Sequence, residues 1–464
     1  MTGRQGPALS RRTLLGTGLG IGAAALTVAG SGVARAAGAP AAMPSAPSRG
    51  HAFLAAAMDA YPEHGSVRLA QSYTDQAGLF STAFTYDNAL VILALLSARS
   101  AGGLSRAVGL GDALLYAQVN DPVYDDGRLR QAYNVGPYTF YDGTRQPDGF
   151  VRPDGTANVG TQFGFTGTAV GDMAWAGIAL SALARRTGAR RFLTGAVRIG
   201  DWIERTARTD EPLGGYKFGV NGAGEKLPFT STEHNTDLIC LFGRLARLTG
   251  DRVWLERRAR AEAFVQRMWE PTGGFFYTGT NDGVTINKSP IPEDTQTWTH
   301  LALASRTRAY SRSLDWCAAE LAVLDHADRR NSAVPPGQSY EGVTFSSASL
   351  LANEDVPIAE SQPKPDRNAV WFEGTAHLAL ALRDRRARGD QERARRLIAS
   401  LERAQDLLGT GQTLGGGAVP ERSGVVSASS PLDTGFGFGY YPYRHAGATA
   451  WYLMAAARYN PLRA

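Results

Sequence analysis

The stretch TEHNTDLICLFGRLARLTG, Thr232 to Gly250, decides how the chain is read. Its first six residues hold a glutamate, a histidine, an asparagine and an aspartate. From Leu238 onward it is an apolar helix pattern closed by glycine. Such a helix is buried along most of its length while its leading end meets something polar. The run TSTE, Thr230 to Glu233, also fits a capping box, with Thr230 accepting from a helix amide and Glu233 reaching back. An acid at a helix start is stabilised by the helix dipole whatever else it does. Capping and ligand binding are therefore both open for these side chains.

The pattern returns five more times, in TYDNALVILALLSARS (85–100), VGDMAWAGIALSALARRTG (170–188), PEDTQTWTHLALASRTRA (292–309), NAVWFEGTAHLALALRDRRARG (368–389) and HAGATAWYLMAAARYNP (445–461). After a short break a more charged helix follows, as in RFLTGAVRIGDWIERTA (191–207) and RVWLERRARAEAFVQRMW (252–269). The last inner helix has no downstream partner, and HAFLAAAMDAY (51–61) is the natural candidate to close the ring. The breaks TGA, TGD and RGD place glycine where a helix end favours a left-handed residue. Buried helices inside amphipathic ones predict an all-α domain over 51–464, six helical hairpins in two rings. The aromatic, glycine-bounded runs GGYKFGV (214–220) and GGFFYTGT (273–280) predict small strands between hairpins.

The first residues predict the compartment. Arg11 and Arg12 precede a Gly/Ala-rich apolar run, and Ala34-Arg35-Ala36 is placed for cleavage before Ala37, the pattern of a twin-arginine export signal over 1–36. Residues 37–50 read as a Pro/Ala/Ser linker. The formal charge of +5 includes four arginines and no acid from the signal, leaving about +1 for the mature chain. Nothing in that balance points to nucleic acid, and no later run is long and apolar enough to span a membrane. Cys240 and Cys317 sit in apolar helical patterns, too few for a disulfide framework, with a bond between them left open. The seven histidines show no paired-ligand spacing, and no phosphate loop or dinucleotide fingerprint is present, so the expectation is chemistry without cofactor or metal, by a monomer.

This arrangement resembles the six-hairpin glycosidase superfamily, the (α/α)6 toroids, over nearly the whole mature chain. The resemblance rests on the six hairpin starts and their Trp/Gly/Ala texture, and no motif selects one family within it. It implies a cleft where the leading ends of the inner helices meet, and a carbohydrate ligand. Superfamily members include inverting glycoside hydrolases, unsaturated-uronide hydrolases, polysaccharide lyases and sugar epimerases.

The residues at those leading ends suit a sugar, whose hydroxyls need polar partners and whose ring faces stack on aromatics. Glu373 lies in an apolar setting, AVWFEGTAHLALAL, where desolvation raises a carboxyl pKa, as a general acid requires. Glu233 is the other candidate acid. Asp87 and Asp172 are the favoured bases, with Asp237 and Asp294 behind them, although Asp172 also reads as an N-cap. Substrate contacts are expected from Tyr86, Trp175, His234, Asn235, Asp237, Gln296, Trp298, Trp371, Tyr443 and His445. The aromatic loops at 132–155 and 433–445 are expected to wall the cleft. These residues predict an exported, inverting hydrolase of an oligo- or polysaccharide. A lyase using His234, Asn235, Tyr86, Arg444 and His445 is the alternative, with a glycan-binding toroid lacking turnover as the non-enzymatic one.

Overall fold

The computed structural model describes residues 43–79, 81–139, 144–160, 164–303 and 308–463. The expected export signal therefore lies outside the described residues. Within them are twelve α-helices: α1 (Ala46–Met58), α2 (Thr85–Ser97), α3 (Ala101–Val119), α4 (Val170–Thr187), α5 (Arg190–Ala207), α6 (Thr232–Thr249), α7 (Val253–Arg267), α8 (Glu293–Leu303), α9 (Arg312–Glu320), α10 (Phe372–Arg385), α11 (Asp390–Leu407) and α12 (Ala446–Ala456). The helices α2, α4, α6, α8, α10 and α12 pack each on the next, and α12 packs back on α2 to complete a circle. Outside them α3, α5, α7, α9, α11 and α1 each pair with an inner helix. This is the (α/α)6 toroid expected from the sequence, with α1 closing the ring.

Backbone hydrogen bonds stitch the inner ring at its leading end. The first N–H of each inner helix donates to a carbonyl in the loop that leads to the next inner helix. Thr85 bonds to Gln131, Val170 to Phe218, Thr232 to Thr278, Glu293 to Phe345, Phe372 to Ser427, and Ala446 returns to Ser72, all at 2.7–3.1 Å. Each bond satisfies an amide that a helix start leaves unpaired, so capping and ring closure are one feature.

The register extends into the side chains. The fourth residue of every inner helix grips a backbone segment beside it. Asn88 bonds both the N–H and the carbonyl of Ala70, Asn235 those of Tyr216, and Gln296 those of Phe276, at 2.8–3.1 Å. Each amide also donates to the carbonyl four residues back. Met173 Sδ accepts from Leu129 N–H, Thr375 Oγ1 from Val343 N–H and Thr449 Oγ1 from Val425 N–H. The sixth residue points to the axis. Trp175, Trp298, His377 and Trp451 from α4, α8, α10 and α12 meet with ring centroids 4.3–5.7 Å apart and plug the barrel.

Three boundaries differ from the sequence reading. Helix α1 begins at Ala46, inside the stretch read as linker. Ser45 caps it, Pro47 suits its first turn, and Gly50 lies against Leu453 and Gln405, where a side chain would not fit. Helix α6 is capped by Ser231, not by Thr230, which instead pairs with Thr280 in a short strand. Gly188 and Gly250 close α4 and α6 in the left-handed region as expected, whereas α10 ends on Arg386 at φ 59° and Gly389 instead opens α11. Glycine-bounded strands form at Gly219–Val220, Phe275–Phe276 and Gly279–Thr280. A five-residue antiparallel pair, Ala322–His326 with Ser339–Val343, precedes α10. Cys240 and Cys317 are both free and buried.

Candidate active site

The shared register sorts the candidate residues into layers. Because α10 starts at Phe372, Glu373 is not deep in a helix but second from its start, the position held by Tyr86, Glu233 and Asp294 in α2, α6 and α8. Gly171 and Gly447 hold it in α4 and α12. Three carboxyl groups on consecutive inner helices and one phenol therefore stand in one ring above the tryptophan plug, and at Gly447 the place of a side chain is taken by Asp87 and His445.

The ring divides into an open and a closed part. Glu233 and Asp294 line a narrow cleft walled by Phe218, Phe229, Phe345 and Phe436. Asp294 Oδ1 accepts from the N–H of Thr295 at 2.6 Å and from its hydroxyl at 3.3 Å, which fixes the orientation of the carboxyl group. Glu373, 1% exposed, sits behind this cleft in a buried network. Tyr86 donates its hydroxyl to Glu373 Oε1 at 2.7 Å and accepts from Trp451 Nε1 at 3.0 Å. His445 Nδ1 lies 3.5 Å from Glu373 Oε2, and its Nε2 is 3.1 Å from Asp87 Oδ2. On the other side His377 Nε2 is 3.9 Å from Glu373 Oε1, and its Nδ1 is 3.0 Å from Glu293 Oε2. Burial, with Asp294 and Glu373 nearby, pushes Glu293 well above the ordinary carboxylate range.

The remaining candidates divide by what they touch. Asn235 and Gln296, expected on substrate, are the backbone clamps described above. Trp175 and Trp298, expected as sugar platforms, form the plug. Asp237 is the sixth residue of α6, level with that plug, and is buried. Asp172 is third in α4, whose cap is Ala169, so it is not an N-cap. His234 is third in α6 and packs on Phe218 with ring centroids 4.3 Å apart. Trp371 stacks on Tyr440 and covers Gly374, whose missing side chain serves that packing. Tyr443 is half-buried beside Tyr441. Arg444 donates to the carbonyls of Pro420 and Ser423, and burial brings its pKa down to about 10. The lyase set is thus tied into the scaffold at Asn235, Tyr86, Arg444 and His445. Phe436 comes from the 433–445 loop expected to wall the cleft, while Phe218, Phe229, Phe345 and His377 were not singled out from the sequence. His377 is legible only once the helix start is known, as the sixth residue of its repeat.

Among the described residues no group of three or more His, Cys, Asp and Glu side chains is placed to hold a metal ion. No described helix is long and apolar enough to cross a membrane.

No family model matches the chain, and no curated protein matches it in sequence. Its fold is shared. A D-mannose isomerase superimposes with a TM-score of 0.57 at 12% identity, covering 90% of this chain and 96% of its own. A cellobiose 2-epimerase from Bacillus thermoamylovorans gives 0.55 at 11%, covering 89% and 98%. A family 76 glycoside hydrolase from a bovine Bacteroides thetaiotaomicron strain gives 0.53 at 12%, covering 89% and 78%. The chain shares the (α/α)6 toroid fold of these proteins, and no single family is indicated.

Proposed function

We propose that the protein is an exported carbohydrate-active enzyme, a glycoside hydrolase acting with inversion on an oligo- or polysaccharide. The observation that carries the reading is that Glu233 and Asp294 line one aromatic-walled cleft at the leading ends of adjacent inner helices. Asp294, oriented by the Thr295 amide and hydroxyl, is the base that activates water; Glu233 is the acid that protonates the leaving oxygen. Neighbouring packed helices stand about 8–10 Å apart. Carboxyl groups from equivalent positions on two of them suit the separation of about 6.5–9.5 Å that inversion requires. Glu373, locked by Tyr86 and near two histidines, is a positioning residue behind the pair.

The test is Glu233→Gln and Asp294→Asn assayed on a panel of neutral oligosaccharides, with folding followed by circular dichroism. Loss of cleavage by at least about a hundredfold in each is expected, and full activity in either removes that residue from the assignment. Proton NMR of the first-formed product anomer decides inversion. Export predicts a secreted form beginning at Ala37, which N-terminal sequencing checks.

Sugar isomerisation or epimerisation is a second reading, favoured by one observation. Two imidazoles, His445 on Asp87 and His377 on Glu293, flank Glu373 with carboxylates orienting them, an arrangement able to move protons at carbon. Isomerisation of a free sugar without cleavage of any oligosaccharide would select it.

A further inference from the structure

The opposite face of the toroid, where the inner helices end, carries charge that the catalytic reading does not use. Two adjoining clefts of about 1270 and 1680 Å³ open there. Among the described residues seven arginines line the first and six the second, two of them shared, against Asp315 and Asp384. Eleven arginines of the described residues therefore line this one face.

Capping of helix ends explains part of this. Arg244 donates to the carbonyl of Pro461, and Arg383 to that of Ala455. It does not explain Arg185, Arg247, Arg386 and Arg458, whose side chains make no hydrogen bond or ion pair with a described residue. The cluster also works against itself. Burial lowers the pKa of Arg247, with Arg244 and Arg185 adding to it, and Arg458 adds to the lowering that burial imposes on Arg383. Arg386, shared by both clefts, sits at φ 59°, where glycine would be unstrained. Like charges held together at such cost are the mark of a surface completed by an anion.

We propose that this face binds an acidic polysaccharide, a sugar chain bearing carboxylate or sulfate groups, at a site separate from the catalytic cleft. Planar guanidinium groups pair with such oxyanions through two parallel hydrogen bonds. A curved pair of clefts suits an extended chain better than a flat lipid surface. Single-stranded nucleic acid is disfavoured because, among the described residues, Tyr459 is the one Phe, Tyr or Trp side chain lining the two clefts, whereas bases need stacking platforms.

The experiment is calorimetric titration of the full chain at low salt with decagalacturonate, a sulfated decasaccharide, a neutral maltodextrin and a short DNA duplex. Binding of either acidic sugar, absent for maltodextrin and lost in about 0.5 M salt, is expected. The double variant Arg247→Glu/Arg458→Glu should weaken it about tenfold or more. Arg386→Gly relieves the backbone, so the fold is kept, and should weaken binding several-fold. No binding of either acidic sugar, affinity unchanged in both variants, or equal affinity for the duplex would overturn the proposal.

Discussion

His445 Nε2 stands 3.1 Å from Asp87 Oδ2 across the seam where the last inner helix meets the first. The same imidazole caps α12, its Nδ1 accepting from the N–H of Ala448 at 3.2 Å, and it stacks on Tyr73 at 4.1 Å. Because Nδ1 accepts, the ring proton lies on Nε2 and is donated to Asp87, which fixes the tautomer. One side chain thus caps a helix and joins the ends of a circular fold.

His445→Ala removes the cap, worth about 1 kcal/mol, and leaves a buried carboxylate without its donor, a further ~1–3 kcal/mol. A loss of about 2–4 kcal/mol in urea unfolding is expected. His445→Asn retains a capping oxygen and should recover about 1 kcal/mol of it. Equal stability of the two variants would show that the cap contributes nothing.

The position-four amides predict a separation of stability from substrate binding. Asn235→Ala strands the N–H and carbonyl of Tyr216 in the interior, and Gln296→Ala does the same to Phe276. Each loses about 2–3 kcal/mol if two buried backbone groups go unpaired. Once an active substrate is known, KM at low temperature should stay within about twofold, since no energy is lost from a ligand contact. A KM that rises with unchanged unfolding free energy would return these amides to the substrate.

The sequence made the helices legible and left their starts uncertain, and that difference governs which site residues were identified. Six apolar helices with charged partners follow from composition and period alone, because burial on all sides leaves a run without a polar face. A helix start is set by one capping residue and by tertiary hydrogen bonds from 131, 218, 278, 345, 427 and 72, which no local pattern reveals. Placing the α10 start at Asn368 rather than Phe372 put Glu373 inside a helix and hid its equivalence to Glu233 and Asp294. With the starts known, TYDNAL, VGDMAW, TEHNTD, EDTQTW, FEGTAH and AGATAW align without gaps. Their fourth and sixth residues then separate clamp and plug from chemistry. Phe436 lies in the 433–445 loop expected to wall the cleft, whereas Phe345 stayed hidden because it comes from a loop whose path only the folded ring defines.

His300 predicts acid lability. It is buried at the far end of α8, and desolvation, with Arg385 adding and Asp390 opposing, lowers its pKa from 6.5 to about 4. Between those values the unfolded chain binds a proton that the folded chain refuses, so stability falls as pH drops through that window. The contribution is complete above about 6.5 and lost towards about 4. His300→Gln should remove about 2–3 kcal/mol of the decline between pH 7.5 and 4.5, read by urea unfolding at both values. An identical decline in variant and parent would assign the lability elsewhere.

The hydroxyl of Tyr86 tests whether Glu373 acts on substrate or behind it. Tyr86→Phe deprives Glu373 of a 2.7 Å donor and the Trp451 indole N–H of its acceptor, both buried. Stability should fall by about 2–3 kcal/mol. If Glu373 only positions its neighbours, Tyr86→Phe and Glu373→Gln should each keep kcat within about tenfold while Glu233→Gln does not, since only a group transferring a proton in the transition state carries the larger share. The pH profile separates the cases further. A positioning Glu373 leaves both limbs of kcat/KM in place when mutated, whereas a proton-transferring one removes a limb. Loss of a limb in Glu373→Gln, with both limbs kept in Glu233→Gln, would exchange the roles of the two glutamates.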